Sequence, residues 1–599
     1  MGFFERIRSD YAYLTGVLRA ISKITKVANN PGRTFPQVAR GLAETYGDRL
    51  ALISDRERMT YRQFDQRGDQ YARWAQAQGV AKGDVVALMM PNRPEYLAAW
   101  LGITRAGGVV ALLNTNLSGT ALAYCVNIVK AKHVIVDASL IDGFRTTEPH
   151  VTEAPHFWCH GASLEGYERL DTKLDQLPKT PIADADLPRL TIEDKCLYVY
   201  TSGTTGLPKA ANINHYRVQG IMFGFNGAMK MRPEDRVYVC LPMYHTSGGV
   251  LGPGAALTAG ASVVLRERFS ASMFWDDIVK NDCTIFVYIG ELCRYLLNSP
   301  THPLEAKHKI RVACGNGLRP DIWADFQRRF RIPKILEWYA ATEGNCVFFN
   351  FDGKIGAVGR IPKWMEKKFF VEIVRSDIET EAPLRGPDGF VVKCQPGEVG
   401  EAISKIMNDP KRPSQRFEGY ADPAATEKKI LRDAFEKGDR WFRTGDLMRK
   451  DASGYYYFVD RIGDTFRWKG ENVATSEVSE AITVFPGVKE ANVYGVRVPG
   501  AEGRVGMAAM VVEDGIDLDG FARHVTQQLA AYARPVFLRV THEIGTTSTF
   551  KQRKYDLVKQ GFDPSAIKDE IFFLHPELQT YVRLTPALYG DISEGKVRL

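Results

Sequence analysis

At 599 residues the chain is too long for one hydrophobic core, which stops growing at about 250–300 residues, so at least two structural units are expected. Apolar residues at 45% and charged residues at 25% are ordinary for a soluble globular protein, and no low-complexity tract or fixed repeat is visible. A net charge of +7 over this length is a mild excess that suits acidic small molecules or an anionic membrane surface and is not read as nucleic-acid binding.

The first 34 residues stand apart. Phe3, Ile7, Tyr11, Leu14, Leu18 and Ile21 recur at helical spacing, with Arg6, Arg8, Arg19, Lys23 and Lys26 among them. Residues 1–34 are therefore read as a basic amphipathic segment. It either lies on a membrane surface or packs against the protein's own body or a partner subunit. No signal peptide is recognised, and no apolar run approaches the ~18–20 residues of a membrane span. The nine cysteines are odd in number and scattered, with no CxxC, which argues for a reducing compartment and against a disulfide framework or zinc site.

From residue 35 onward the pattern is α/β. Val85–Met90 reads as a buried strand, stopped by Pro91 and Pro94, and Glu95–Arg105 as the helix that follows. Strand-like runs continue at Val109–Leu113, His133–Val136, Leu197–Tyr200, Val237–Leu241, Val263–Leu265, Ile285–Ile289 and Ile335–Tyr339. This alternation predicts parallel sheets covered by helices, in a large domain over residues 35–460. A smaller α+β domain is expected over residues 461–599, with Val488–Val498 as two short strand-like pieces, then Gly506–Glu513, a helix at Leu518–Ala531 and Val536–Thr541. Gly463 offers a free backbone torsion at the boundary.

The most informative string is Tyr200-Thr-Ser-Gly-Thr-Thr-Gly-Leu-Pro-Lys209. Gly203 and Gly206 let the backbone approach a ligand closely; Thr201, Ser202, Thr204 and Thr205 supply hydroxyls, and Lys209 a cation. A loop so built fits the oxygens of a polyphosphate, although its spacing is not that of a P-loop. Further on, Pro242-Met-Tyr-His245 ends a strand, and Gly315-Asn316-Gly317 follows one. In Glu337-Trp-Tyr339-Ala340-Ala-Thr342-Glu343 an aromatic ring can stack on a base, and a carboxylate beside a hydroxyl suits a hard divalent cation. In Phe442-Arg-Thr-Gly-Asp446 the carboxylate can accept hydrogen bonds from a ribose.

These strings, in this order, resemble the adenylate-forming superfamily of acyl- and aryl-CoA ligases, luciferases and peptide-synthetase adenylation domains. The resemblance runs from about residue 35 to the end of the chain. It implies a large N-terminal domain and a smaller, mobile C-terminal lid. It implies ATP and Mg2+ as cofactors and coenzyme A as co-substrate. In that frame Thr201–Lys209 binds phosphates, and Gly315, Asn316 and Gly317 lie beside the adenine with Glu337 and Ala340. Tyr339 stacks on the base, Thr342 contacts the phosphate, and Glu343 holds Mg2+ with Thr201. His245 lines the acyl pocket, and Asp446 and Arg461 bind the ribose. Lys469, Gly470 and Glu471 belong to the segment that swings over the site when coenzyme A reacts, and Gly463 stands at the hinge. Lys551 matches the adenylation lysine, but Phe550 replaces the usual glycine before it, so Lys554 competes for the role. Gly249, where relatives often carry an aromatic gate, implies an open tunnel mouth.

Tyr288–Tyr295, Gly315–Trp323, Asp464–Val473 and the tail Leu584–Leu599 resemble the fatty acid transport protein branch, the very-long-chain acyl-CoA synthetases. The implied reaction joins a long-chain or very-long-chain fatty acid to coenzyme A through an acyl-adenylate. The alternatives are a bile-acid or carnitine-like acid, transfer to a carrier protein, or fatty-acid uptake and binding with weak ligase activity. Small-molecule partners are expected, with no nucleic acid. A homodimer and a peripheral membrane contact through residues 1–34 stay open. The expected location is the cytoplasm or the inner face of a membrane.

Overall fold

The computed structural model describes residues 2–201, 208–409, 412–546, 554–597 and 599. Its first element is α1 (Phe3–Ala28), followed by the α/β body. The described residues of that body form two large, mostly parallel sheets. One has the order 168–169, 156–160, 133–137, 85–89, 109–112, β1 (Lys195–Thr201), β2 (Lys209–Asn214). The other runs 347–350, β4 (Ile335–Ala340), β3 (Val312–Asn316), 285–289, 236–239, 262–265, 50–53, 58–60. Their strands are short apolar runs buried on both faces, as helix-covered parallel sheets demand.

The helix Pro94–Arg105 has every residue buried, which fits its lack of a polar face. Of its two deep charges, Glu95 pairs with Arg67 at 2.8 Å, and Arg105 meets Asp65 at 2.5 Å and Asp69 at 2.7 Å, with Arg40 completing the second cluster. Removing one partner of such a buried set costs about 3–5 kcal/mol, because it strands the other. All nine cysteines are free, seven of them buried, consistent with small core residues.

A third, antiparallel sheet was not expected from the sequence pattern. It has the order 359–360, β6 (Tyr455–Arg461), β5 (Arg440–Lys450), 399–405, 371–374. It brings the Thr444–Asp446 segment against β4, and the site depends on that approach.

The small domain holds a five-stranded sheet, 488–496, 505–512, 537–540, 570–575, 580–583, over its own apolar core. Val488–Val496 is one strand, not two pieces. Gly495 suggests a break, but a Cβ there would meet Phe466 at 2.7 Å, so the glycine makes room for that ring. The domain meets the large one mostly through polar contacts. Arg294 donates to Lys489 O at 2.8 Å and pairs with Glu490 at 2.9 Å. Asp460 accepts from Thr475 N at 2.6 Å, at the start of α3 (Thr475–Thr483).

Helix α1 packs along α2 (His215–Ala228) through Arg19, Ala20 and Ile24, and buries Ser9, Tyr13 and Gly16 against Tyr455 and Phe351. The approach is close: a Cβ on Gly227 would stand 2.5 Å from Arg19 O, and one on Gly16 2.5 Å from the Phe351 ring. Asp10 pairs with Arg360 at 2.7 Å.

Candidate active site

The polyphosphate loop joins β1 to β2. These strands run antiparallel, with Thr201 opposite Lys209, so the loop does not open into a helix as a P-loop does. Ser202, Gly203, Thr204, Thr205 and Gly206 lie outside the described residues, as does Lys551. Lys209 Nζ stands 5.6 Å from the centre of the Tyr420 ring.

β3 and β4 lie side by side in parallel, so Gly315-Asn316-Gly317 and Tyr339-Ala340 emerge at the same edge. A buried carboxyl holds the first of these loops. Glu337, 2% exposed, accepts from Leu318 N at 3.2 Å on one oxygen, and its other oxygen lies 2.5 Å from the Tyr288 hydroxyl. Burial pushes this carboxyl up to about 8, against the pull of Tyr288 and of the Leu318 and Gly317 N–H groups. Glu337 therefore supports the loop from below. Gly317 has φ +78°, which glycine accepts freely, and a Cβ on Gly290 would fall 1.6 Å from Gly317 O.

Tyr339 stacks on Phe348 with ring centres 5.6 Å apart and donates its hydroxyl to Asp446 Oδ2 at 2.5 Å. Burial first, and then the Asp446 charge, holds that hydroxyl well above its ordinary range. Asp446 faces Arg461 across the β5–β6 ladder, with Arg461 Nε 3.7 Å from Oδ1. Gly445, φ +77°, turns the chain here, and its N–H is held by the fully buried Glu401 at 3.1 Å.

Glu343 accepts from the Tyr420 hydroxyl at 2.6 Å. Two cations that sequence reasoning missed stand beside it. Arg217, near the start of α2, donates to Thr342 O at 2.8 Å; burial lowers its guanidinium, opposed by Glu343 and Glu418. Lys429 donates to Thr444 O at 3.0 Å; burial lowers its ammonium, opposed by Glu343, Asp446 and Glu401. Neither sits in a recognisable string, and only the Asn214 cap ahead of Arg217 marks that part of the chain.

His245 precedes a π-helical turn, Thr246–Leu251, and its ring lies 4.6 Å from that of Tyr244. Thr246 Oγ1 reaches Thr342 Oγ1 at 3.3 Å and links this turn to the segment that carries Glu343. Gly249 has a packing reason of its own. A Cβ there would meet Met243 O at 2.0 Å, so the glycine lets the π turn close on the preceding strand end.

The remaining expected residues lie elsewhere. Lys469 and Gly470, φ +51° and +82°, form the two-residue tip of the hairpin 466–473 on the small domain and are exposed, as is Glu471. Lys554 Nζ sits on Thr475 Oγ1, 3.5 Å from Asp464 Oδ2, at the domain junction.

The arrangement thus brings Thr342, Glu343, Tyr339, Asp446, Arg461, Arg217 and Lys429 into one cluster. It combines carboxylates that can hold a diol or a divalent cation with half-buried cations that can hold phosphate oxygens.

Comparison with known proteins agrees. Residues 40–401 match the family model for the AMP-binding enzyme, and residues 477–551 that for the AMP-binding enzyme C-terminal domain. The chain is 41% identical over 577 residues to long-chain fatty acid transport protein 1 of Mus musculus, covering 95% of this chain and 88% of that one. It is 39% identical over 578 residues to long-chain fatty acid transport protein 2 of Rattus norvegicus, covering 95% and 92%. In fold it resembles an anthranilate CoA ligase in complex with anthranoyl-AMP, with TM-score 0.74, 21% identity, and 88% and 98% of the two chains covered. The ATP-bound MatB of Rhodopseudomonas palustris gives TM-score 0.72 at 23% identity, with the same coverage.

Proposed function

The chain belongs to the AMP-binding enzyme family, in the branch of the long-chain fatty acid transport proteins, and from that membership we propose that it is an AMP-forming ligase joining long-chain fatty acids to coenzyme A. The acid's carboxylate attacks the α-phosphorus of ATP and expels pyrophosphate. The coenzyme A thiol then attacks the acyl carbon of the mixed anhydride, giving the thioester and AMP.

The carrying observation is the meeting of Tyr339, Asp446 and Arg461 from two sheets beside Glu343, Arg217 and Lys429. In the first step two anions approach each other, so the protein's contribution is electrostatic and positional. Asp446 holds the ribose hydroxyls and Tyr339 flanks the base, with the loop Gly315–Gly317 on the other side, supported by Glu337. Thr201–Lys209 and the half-buried Arg217 and Lys429 offset charge on the phosphates, and Lys551 bridges the carboxylate and the α-phosphate. His245 lines the acid's carboxylate end of the pocket.

A divalent cation fits this donor set. Among the described residues no group of three or more His, Cys, Asp or Glu side chains could cage a metal. Mg2+ needs no such cage: it takes one or two carboxylates and otherwise phosphate oxygens and water. Glu343, with Thr201, would hold it, and it would supply charge neutralisation on the leaving pyrophosphate. Rotation of the small domain about Gly463 exchanges Lys551 for Lys469–Glu471 between the two steps. The polar character of the interface at Arg294 and Asp460 supports that reading.

The test is release of pyrophosphate and AMP from ATP with Mg2+, with and without coenzyme A, over fatty acids of graded length, bile acids and carnitine-like acids. Pyrophosphate release that requires a long-chain acid, and thioester that requires coenzyme A, is expected. Turnover only with another acid would replace the substrate class, and no turnover with any acid would refute the ligase reading.

A further inference from the structure

Two arginines of the large domain reach across to the small one, and each is also tied to a carboxylate of its own domain. Arg294 lies in the helix Gly290–Asn298 and is 7% exposed. It donates to Lys489 O at 2.8 Å and pairs with Glu490 at 2.9 Å, both on the strand 488–496. Its Nε also donates to Glu291, three residues back on its own helix, at 3.0 Å. Arg319 repeats the plan. It donates to Thr483 Oγ1 at the end of α3 and pairs with Asp321, two residues further on, at 2.8 Å. Burial at this seam pushes the Glu480 carboxyl of α3 up to about 7, against the pull of Arg319.

Both arginines are rooted at the loop that carries Gly315, Asn316 and Gly317. Arg319 follows Gly317 by two residues. The helix of Arg294 starts at Gly290, so close to the loop that a Cβ there would fall 1.6 Å from Gly317 O. Close packing of this kind transmits displacement, so a shift of the loop is carried to both arginines and through them to the small domain. The second carboxylates matter for the reverse movement. A buried arginine that loses its only partner is stranded, which disfavours release. Arg294 and Arg319 escape that cost, because Glu291 and Asp321 still neutralise them when the small domain departs.

We infer that Arg294 and Arg319 are positioning residues, a releasable clamp that seats the small domain for adenylate formation and ties that seat to the Gly315–Gly317 loop. The choice of step rests on the ligase reading proposed above. In this structure the hairpin tip Lys469–Gly470 is exposed, and so stands clear of the site it would enter for the coenzyme A step. Glu490 and Thr483 hold the arginines in this seat, and Glu291 and Asp321 hold them in the other.

Hydrogen–deuterium exchange of the full chain without substrates reads the seam directly. In Arg294→Ala and in Glu490→Ala, residues 475–483 and 488–490 should exchange about fivefold faster or more, while the core strand 505–512 keeps its rate. Pyrophosphate release with ATP, Mg2+ and palmitate reads the first step. Thioester formation from supplied palmitoyl-adenylate and coenzyme A reads the second. Arg294→Ala should slow the first step about tenfold and Glu490→Ala about fivefold, both sparing the second. The double variant should be no worse than Arg294→Ala, as for two ends of one contact. Should Arg294→Ala fail to fold, Glu490→Ala, on the partly exposed side of the contact, carries the same reading. Glu291→Gln and Asp321→Asn should act the other way, sparing the first step and slowing the second about threefold or more, because they leave the released arginine stranded. A merely structural residue would slow both steps alike. Unchanged exchange at the seam, equal loss in the two steps, or carboxylate variants that behave like Arg294→Ala would each overturn the inference. No pyrophosphate release from the unaltered protein with any acid would refute the ligase reading instead, and the exchange rates would still decide whether the two arginines hold the small domain.

Discussion

The buried carboxyl under the Gly315–Gly317 loop carries a prediction whose size follows from its surroundings. Glu337 is 2% exposed and is pushed up from 4.5 to about 8, chiefly by burial. Between those two values the folded protein keeps the proton and the unfolded chain releases it. Rising pH therefore favours unfolding across that window, and the loss levels off above about pH 8. Taken whole, the shift amounts to about 5 kcal/mol at roughly 1.4 kcal/mol per pH unit, an upper limit. Glu337→Gln has no proton to lose. Its amide oxygen can take the Leu318 N–H, and its amide N–H can reach the Tyr288 oxygen. The variant should match the parent near pH 5 and become progressively more stable than it up to about pH 8, by ~1–2 °C in thermal midpoint per kcal/mol for a domain of this size. Thermal unfolding followed at several pH values measures this. Parallel curves for parent and variant would refute the reasoning and mean that Glu337 titrates normally in the fold.

Gly290→Ala places a methyl 1.6 Å from Gly317 O, so the Gly315–Gly317 loop must move; a stability loss of about 3 kcal/mol and a raised KM for ATP are expected from calorimetry and kinetics. Asp446→Asn removes a charged acceptor from Tyr339 and from the proposed ribose, and KM for ATP should rise about 10- to 100-fold with little change in KM for the acid. Lys551→Ala should lower acid-dependent pyrophosphate release by about 10²-fold or more while sparing thioester formation from supplied acyl-adenylate. Lys554→Ala, which loses contacts to Thr475 and Asp464 at the junction, should affect both half-reactions modestly; the reverse pattern for the two lysines would exchange their roles.

The parts of the site legible in the sequence are those whose chemistry is contiguous. Tyr339 to Glu343 and Thr444 to Asp446 each put several functional atoms on one short stretch, so composition betrays them. Arg217, Tyr420 and Lys429 each arrive alone, from a helix and from the chain ahead of β5, and acquire meaning only when the antiparallel sheet is laid against β4. That sheet escaped notice because β5 carries arginines at 440, 443 and 449 between its apolar residues, and so lacks the apolar runs of the parallel strands. The first helix shows a related limit. Hydrophobic periodicity weighs large side chains, and it marked Phe3, Ile7, Tyr11, Leu14, Leu18 and Ile21, all exposed. The face that folds is Ser9, Tyr13, Gly16, Val17, Ala20 and Val27, half of it small residues that allow close approach and carry little hydrophobic signal.

How the site divides between the domains follows from where their cohesion lies. The small domain's apolar core, from Phe466 to Ile592, shares no residue with the core of the large domain. Most of the contacts that join them are polar, Arg294 with Glu490, Arg319 with Thr483 and Asp460 with Thr475, beside one small apolar cluster of Leu447, Val459 and Ile462 with Ala474 at the boundary. Contacts of this kind can be exchanged for water or for one another at small cost, whereas a shared apolar core cannot. The nucleotide side is built the other way, on the wholly buried Glu401 and the nearly buried Glu337, which fix the Gly445 and Gly317 turns from beneath. In the proposed function, a rigid bed for the nucleotide and a detachable lid are what two successive reactions at one phosphorus–acyl centre require. The bed must hold the adenylate unchanged while the groups above it are replaced.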